Sequence, residues 1–163
     1  MRNGWAYCVV ALGTNMGDRE HVAFQALADV RAVEGFTVTQ ASSLHETVAL
    51  TSKGYDASAP GYVNQVILLE SAWSPEKTLE KLLEIEQAHG RVRTGERYAD
   101  RTLDLDLITY GEMMQETEFL TLPHPRAHQR SFVLEPWLEI DAAATIPGLG
   151  SAQELLLALP QDG

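Results

Sequence analysis

Between Leu103 and Leu107 the chain alternates strictly, with Asp104 and Asp106 set among Leu103, Leu105 and Leu107. A period of two admits a strand with one leucine face and one carboxylate face. This stretch therefore requires a sheet with an apolar core on one side and a polar, approachable surface on the other. Residues two apart on a strand are about 6–7 Å apart along the backbone, so both carboxylates can reach metal ions lying between them. Four arginines, Arg91, Arg93, Arg97 and Arg101, come just before the run. Their planar guanidinium groups match phosphate oxygens. A pair of Mg²⁺ ions held by the two aspartates would clamp a polyphosphate. Read without function, the same run is an antiparallel strand with one wet face after a basic loop.

Charge narrows the partner. The net charge is −11, which argues against a nucleic-acid polymer. Yet six of the twelve basic residues, all arginines, fall between Arg91 and Arg130. An acidic chain with one arginine cluster suits a small polyanion bound at one place; the alternative is that these arginines are scattered ion-pair partners. The 163 residues suit one domain spanning 1–163. Cys8 lies in an apolar run, as a core residue in a reducing cytoplasm would. No apolar run approaches a membrane span, and the N-terminus has no signal-peptide pattern.

In chain order, Tyr7–Leu12 reads as a central strand. Gly13–Asp18 is loop chemistry, and Asp18 is placed to cap a helix over Arg19–Val33, with Val22, Ala26, Val30 and Val33 as its stripe. Phe36–Ser43 alternates as a second strand. His45–Pro60 lacks periodicity and is expected to be a long, mobile, functional loop. Gly61–Glu70 is a third strand, with Tyr62 and Asn64 on one face. Ser74-Pro75 starts a helix that runs to His89 and stops at Gly90. Its stripe of Leu79, Leu82 and Leu83 continues into Glu86 and His89, which leaves Glu86 either emerging into water or holding one of the arginines. Thr102–Tyr110 is the fourth strand. Pro123-His124-Pro125-Arg126 is a rigid turn that presents His124. Ser131–Ile140 is expected as a short helix interrupted at Pro136, and Gln153–Leu159 as a last helical turn or two. The order βαββαβ predicts an α+β, ferredoxin-like antiparallel sheet, with both helices on one face and the other face left open for ligand beneath long loops.

The segments Leu12-Gly13-Thr14-Asn15, Tyr62-Val63-Asn64, Gly90-Arg91-Val92-Arg93, Arg101-Thr102-Leu103-Asp104-Leu105-Asp106 and Pro123-His124-Pro125-Arg126 together resemble the 6-hydroxymethyl-7,8-dihydropterin pyrophosphokinase family of folate biosynthesis. The resemblance implies transfer of pyrophosphate from ATP to the pterin hydroxymethyl oxygen, with release of AMP. It implies two Mg²⁺ ions on Asp104 and Asp106, with Arg91 and Arg101 joining them in the catalytic set. An aspartate can accept the alcohol proton, and Asp106 is the expected one, although the chemistry does not require a strong base. Glu86, Arg93, Arg97, Arg101, Leu107, His124 and Arg130 match nucleotide-side positions. Thr47, Val48, Leu50, Tyr62, Asn64, Tyr98, Asp104 and Phe132 match the pterin pocket. A cytoplasmic monomer without nucleic-acid or membrane partners is the expected state. Thr94, Tyr98 and Val48 depart from residues frequent in the family, and Leu83 and Phe119 fill places that are polar in some members. These departures bear on affinity and loop behaviour. Two other readings of the same residues are a two-metal phosphodiesterase and a non-catalytic binding module.

Overall fold

The computed structural model describes residues 4–15, 17–47, 49–51, 54–56, 61–89 and 103–160. Its sheet is built from β1 (Ala6–Thr14), β2 (Phe36–Ala41), β3 (His45–Thr47), β6 (Tyr62–Ser71) and β7 (Leu103–Tyr110). The order is β2-β6-β1-β7, with β3 also paired to β6, and every pairing is antiparallel. Helices α1 (Arg19–Ala32) and α2 (Pro75–Ala88) supply the crossovers, so the four long strands follow the split βαβ order expected from the sequence. Asp18 accepts from the His21 N–H and Ser74 from the Lys77 N–H, so both helices start on the caps their sequences advertise.

Alternation assigns the two faces. Cys8, Val10 and Leu12 of β1, Val63, Ile67 and Leu69 of β6, and Leu103, Leu105 and Leu107 of β7 pack beneath Ala23, Ala26 and Val30 of α1 and Leu82 and Ile85 of α2. Cys8 is fully buried, and burial pushes its thiol up to about 12, so it stays a protonated core residue.

The opposite face is not left open along its whole length. Val9, Val66, Leu68 and Ile108 are covered by Val133, Leu134 and Trp137 of α3 (Ser131–Ile140) and by Ala152 at the start of α4 (Ala152–Leu157). α3 also runs through Pro136 without a break. A proline there removes one helical hydrogen bond, but burial of Val133, Leu134, Pro136 and Trp137 on the sheet outweighs that loss. Three shorter pairings complete the chain: β4 (Ala49–Thr51) with β5 (Gly54–Asp56), β8 (Gln115–Glu116) with β9 (Thr121–Leu122), and β10 (Thr145–Ile146) with β11 (Gly150–Ser151).

Two further expectations change. The stretch after His45 is not loop throughout, because β3 pairs His45, Glu46 and Thr47 with Asn64, Val63 and Tyr62. On α2 the buried residues are Thr78, Leu82, Ile85 and Glu86, while Leu83 is exposed. Thr78 is buried because its hydroxyl shares a 2.8 Å hydrogen bond with Ser71, a partner that apolar periodicity does not reveal. Among the described residues no helix is long and apolar enough to cross a membrane.

Candidate active site

Two rows of paired residues mark where the cover over the second face ends, at Val66 and Ala11. One is Asn64–Gly13–Asp104 and the other is Val66–Ala11–Asp106, each running from β6 across β1 to β7. Paired residues share a face, so Asn64, Asp104 and Asp106 rise from one surface with only Gly13 and Ala11 between them. A Cβ on Gly13 would stand 3.2 Å from Asn64 Oδ1 and 3.7 Å from the Tyr62 ring. The missing side chain therefore leaves a floor between the two walls. Asn64 is oriented by its partners. Its Nδ2 donates to the His45 carbonyl at 3.3 Å and to Thr47 Oγ1 at 3.2 Å. A carbonyl can only accept, which fixes the amide so that Oδ1 faces the floor. Gly13→Ala is expected to weaken binding of a flat ligand here about tenfold with little change in melting temperature. Calorimetry on the folded variant checks this.

β7 is an edge strand, and Glu86 bonds its backbone. Glu86 is only 5% exposed, and its Oε2 accepts the Leu105 N–H at 2.6 Å, between the two aspartates. The sequence left Glu86 either emerging into water or holding an arginine; it is buried, one of its partners is this backbone amide, and Arg91, Arg93, Arg97 and Arg101 lie outside the described residues. Nothing local in the sequence marks Leu105 N–H as the group needing a cap. Leu107 is 3% exposed on the helix side, on the face opposite Asp104 and Asp106.

A cationic flank stands beyond β7. The turn at Pro123-His124-Pro125 hangs from the strand through the His124 N–H, which donates to the Ile108 carbonyl at 2.9 Å. A 3₁₀ turn over Ala127–Gln129 then leads to Arg130, the residue before α3. Arg130 Nη1 lies 3.7 Å from Asp106 Oδ2, and its guanidinium carbon is 5.5 Å from the centre of the Phe132 ring. Burial, then the charges of Arg130 and Arg126, push His124 down from 6.5 to about 4. Its Nδ1 accepts the Arg126 N–H at 3.1 Å, so the neutral ring keeps its proton on Nε2. Because the folded value is lowered, the neutral ring stabilises the fold above pH 6.5, and that contribution is lost as pH falls toward about 4. A His124→Asn variant should accordingly lose less melting temperature than the parent between those pH values.

Residues 9–142 match the family model for 7,8-dihydro-6-hydroxymethylpterin-pyrophosphokinase (HPPK). The chain belongs to that family. Among curated HPPK relatives, each named 2-amino-4-hydroxy-6-hydroxymethyldihydropteridine pyrophosphokinase, the protein of Synechocystis sp. is 40% identical over 81% of this chain and 65% of its own length. The Bacillus subtilis protein is 39% identical over 85% of this chain and 78% of its own, and that of Haemophilus influenzae 34% over 90% and 89%. The chain thus spans just under two thirds of the Synechocystis relative's length. A Plasmodium falciparum HPPK-DHPS structure with pterin and p-hydroxybenzoate superposes with a TM-score of 0.70 over 96% of this chain and 43% of its own, at 12% identity. That likeness speaks to the fold alone.

Within this HPPK fold, Glu86, Asp104, Asp106, Leu107, His124 and Arg130 gather on and beside β7, while Thr47, Tyr62 and Asn64 form the opposite wall. Phe132, 37% exposed, stands at the start of α3 against Arg130. Arg91, Arg93, Arg97, Tyr98, Arg101 and Val48 lie outside the described residues, and Leu50 is placed only by its backbone in β4. Among the described residues no three His, Cys, Asp or Glu side chains gather as a metal cage. The carboxylates of Asp104 and Asp106 suit Mg²⁺, which commonly takes one or two carboxylates and completes its shell from water and substrate phosphates.

Proposed function

We propose that this HPPK-family chain transfers the pyrophosphoryl group of ATP to the hydroxymethyl oxygen of 6-hydroxymethyl-7,8-dihydropterin and releases AMP. The alcohol oxygen forms a bond to the β-phosphorus, the bond from that phosphorus to the α,β-bridging oxygen breaks, and the alcohol proton leaves. The observation that carries this reading is Asp104 facing Asn64 across Gly13, with Asp106 in the next row on the same face and Arg130 beside it.

On this reading Asn64 Oδ1 accepts from an N–H on the pterin edge, with Thr47 and Tyr62 beside it and Phe132 near the ring. Arg130 and the Nε2–H of neutral His124 offer donors to phosphate oxygens. Asp104 and Asp106 hold two Mg²⁺ ions, which when bound neutralise charge on the phosphates. Asp106 takes the alcohol proton. Arg91, Arg93, Arg97 and Arg101 grip the triphosphate, and with Val48, Leu50 and Tyr98 they belong to the same site by sequence. Leu107 and Glu86 support the nucleotide side of β7. The chain acts as one domain, a monomer in the cytoplasm.

Product analysis tests the reaction. AMP should appear from ATP only when the hydroxymethylpterin and Mg²⁺ are both present; AMP release without the pterin would instead indicate a water-using phosphodiesterase. Calorimetry with a non-hydrolysable ATP analogue should show pterin binding much more tightly after nucleotide and Mg²⁺. Equal affinity in either order would remove ordered assembly from the mechanism.

A further inference from the structure

Glu139, near the C-terminal end of α3, is used by a strand far from it in sequence. Its Oε2 accepts the Ser43 N–H at 3.0 Å, and its Oε1 accepts the Ser43 hydroxyl at 2.9 Å and His45 Nε2 at 2.7 Å. The His45 hydrogen bond, then the Ser43 N–H, hold its carboxyl below the usual value. Three bonds on one exposed carboxylate are more than a surface ion pair ordinarily makes. What they hold is β3, a strand of only three residues. A strand that short has little ladder of its own to fix it.

The far side of β3 is held as well. Glu46 points to the other face, where Arg19 of α1 binds it at 3.1 Å and also donates to the Gly61 carbonyl at 2.9 Å. A Cβ on Gly61 would collide with the Thr47 carbonyl, so β3 and the start of β6 are in close contact. Between these two attachments β3 supplies both acceptors of the Asn64 amide, the His45 carbonyl and Thr47 Oγ1.

We propose that Glu139 is a positioning residue for the pterin wall: by tying Ser43 and His45 to α3 it sets β3, and β3 in turn fixes the Asn64 amide with Oδ1 toward the ligand. α3 then serves both walls, because Arg130 at its other end sits on Asp106. The inference rests on the pterin reading of the site, and the test separates the two.

In the full chain, Glu139→Ala is expected to weaken pterin binding at least tenfold in the presence of Mg²⁺ and a non-hydrolysable ATP analogue. The analogue's own affinity should stay within twofold. Glu139→Ala should have no further effect on pterin in an Asn64→Ala background, because the tether acts through Asn64. Equal loss for both ligands, or an undiminished effect without Asn64, overturns the proposal. Backbone amide exchange across His45–Thr47 reads the tether with no ligand present. It should accelerate at least tenfold in Glu139→Ala, and unchanged exchange overturns the tether whatever the pterin does. Accelerated exchange in a chain whose parent makes no pterin-dependent AMP would overturn the functional reading and leave the tether standing.

Discussion

Replacing Asp104 or Asp106 by asparagine is expected to lower pterin-dependent AMP formation by about 10³-fold, or about 4 kcal/mol of transition-state stabilisation. Each substitution keeps the shape and removes one negative charge. Both side chains stand half-buried on the sheet face opposite the leucine core. Melting temperatures should therefore stay within a few degrees of the parent, since both carboxylates are only half-buried and belong to neither apolar cluster of the sheet. Nucleotide binding in the absence of Mg²⁺ should change far less than turnover. Near-normal turnover in both variants, measured at saturating Mg²⁺, would dismiss the aspartate pair as the centre of the chemistry.

The largest stability effect is expected far from the site, at Gly35. Its φ of +96° lies in the left-handed region, and a Cβ there would run into the Trp73 indole, 2.8 Å from Cε2 and closer still to Nε1. Trp73 cannot easily give way. Its Nε1–H donates to the Glu34 carbonyl at 2.8 Å, its backbone N–H bonds Ser71, its carbonyl accepts the Tyr110 hydroxyl, and Lys81 lies over its ring. Gly35→Ala thus combines backbone strain of about 1–2 kcal/mol with a displaced ring and a broken hydrogen bond. We expect a loss of about 3–4 kcal/mol, or roughly 10 °C in melting temperature. Urea unfolding would measure it, and a change below about 1 kcal/mol would mean that the indole moves aside freely.

Local chemistry made much of this fold legible. The alternation at Leu103–Leu107 gave β7 and its faces, and Asp18 and Ser74-Pro75 gave two helix starts. The residues the sequence mislaid depend on contacts distant along the chain. β3 is too short to show a period, and it is fixed by Glu139 and Arg19 across separations of 94 to 96 and 27 residues. The run at Ser131–Ile140 was readable as apolar, but not as a lid on half of the second face, because its partners Val9, Val66, Leu68 and Ile108 belong to three strands. Pro136 suggested a break by local rule, and the packing beneath it prevailed. For the candidate site, the sequence supplied the side chains, while the register of β6, β1 and β7 supplied their confrontation.

Gly13 and Ala11 turn the central strand into a gauge. Asn64 and Asp104 stand on either side of one intervening strand, so their backbones are separated by two inter-strand spacings, about 9–10 Å. That width is set by hydrogen-bond geometry and does not drift with side-chain motion. A fused two-ring compound can touch both edges at once, whereas a single ring must let go of one. Pyrimidine fragments carrying the same amino and carbonyl groups should bind far more weakly than the loss of their extra atoms alone would explain.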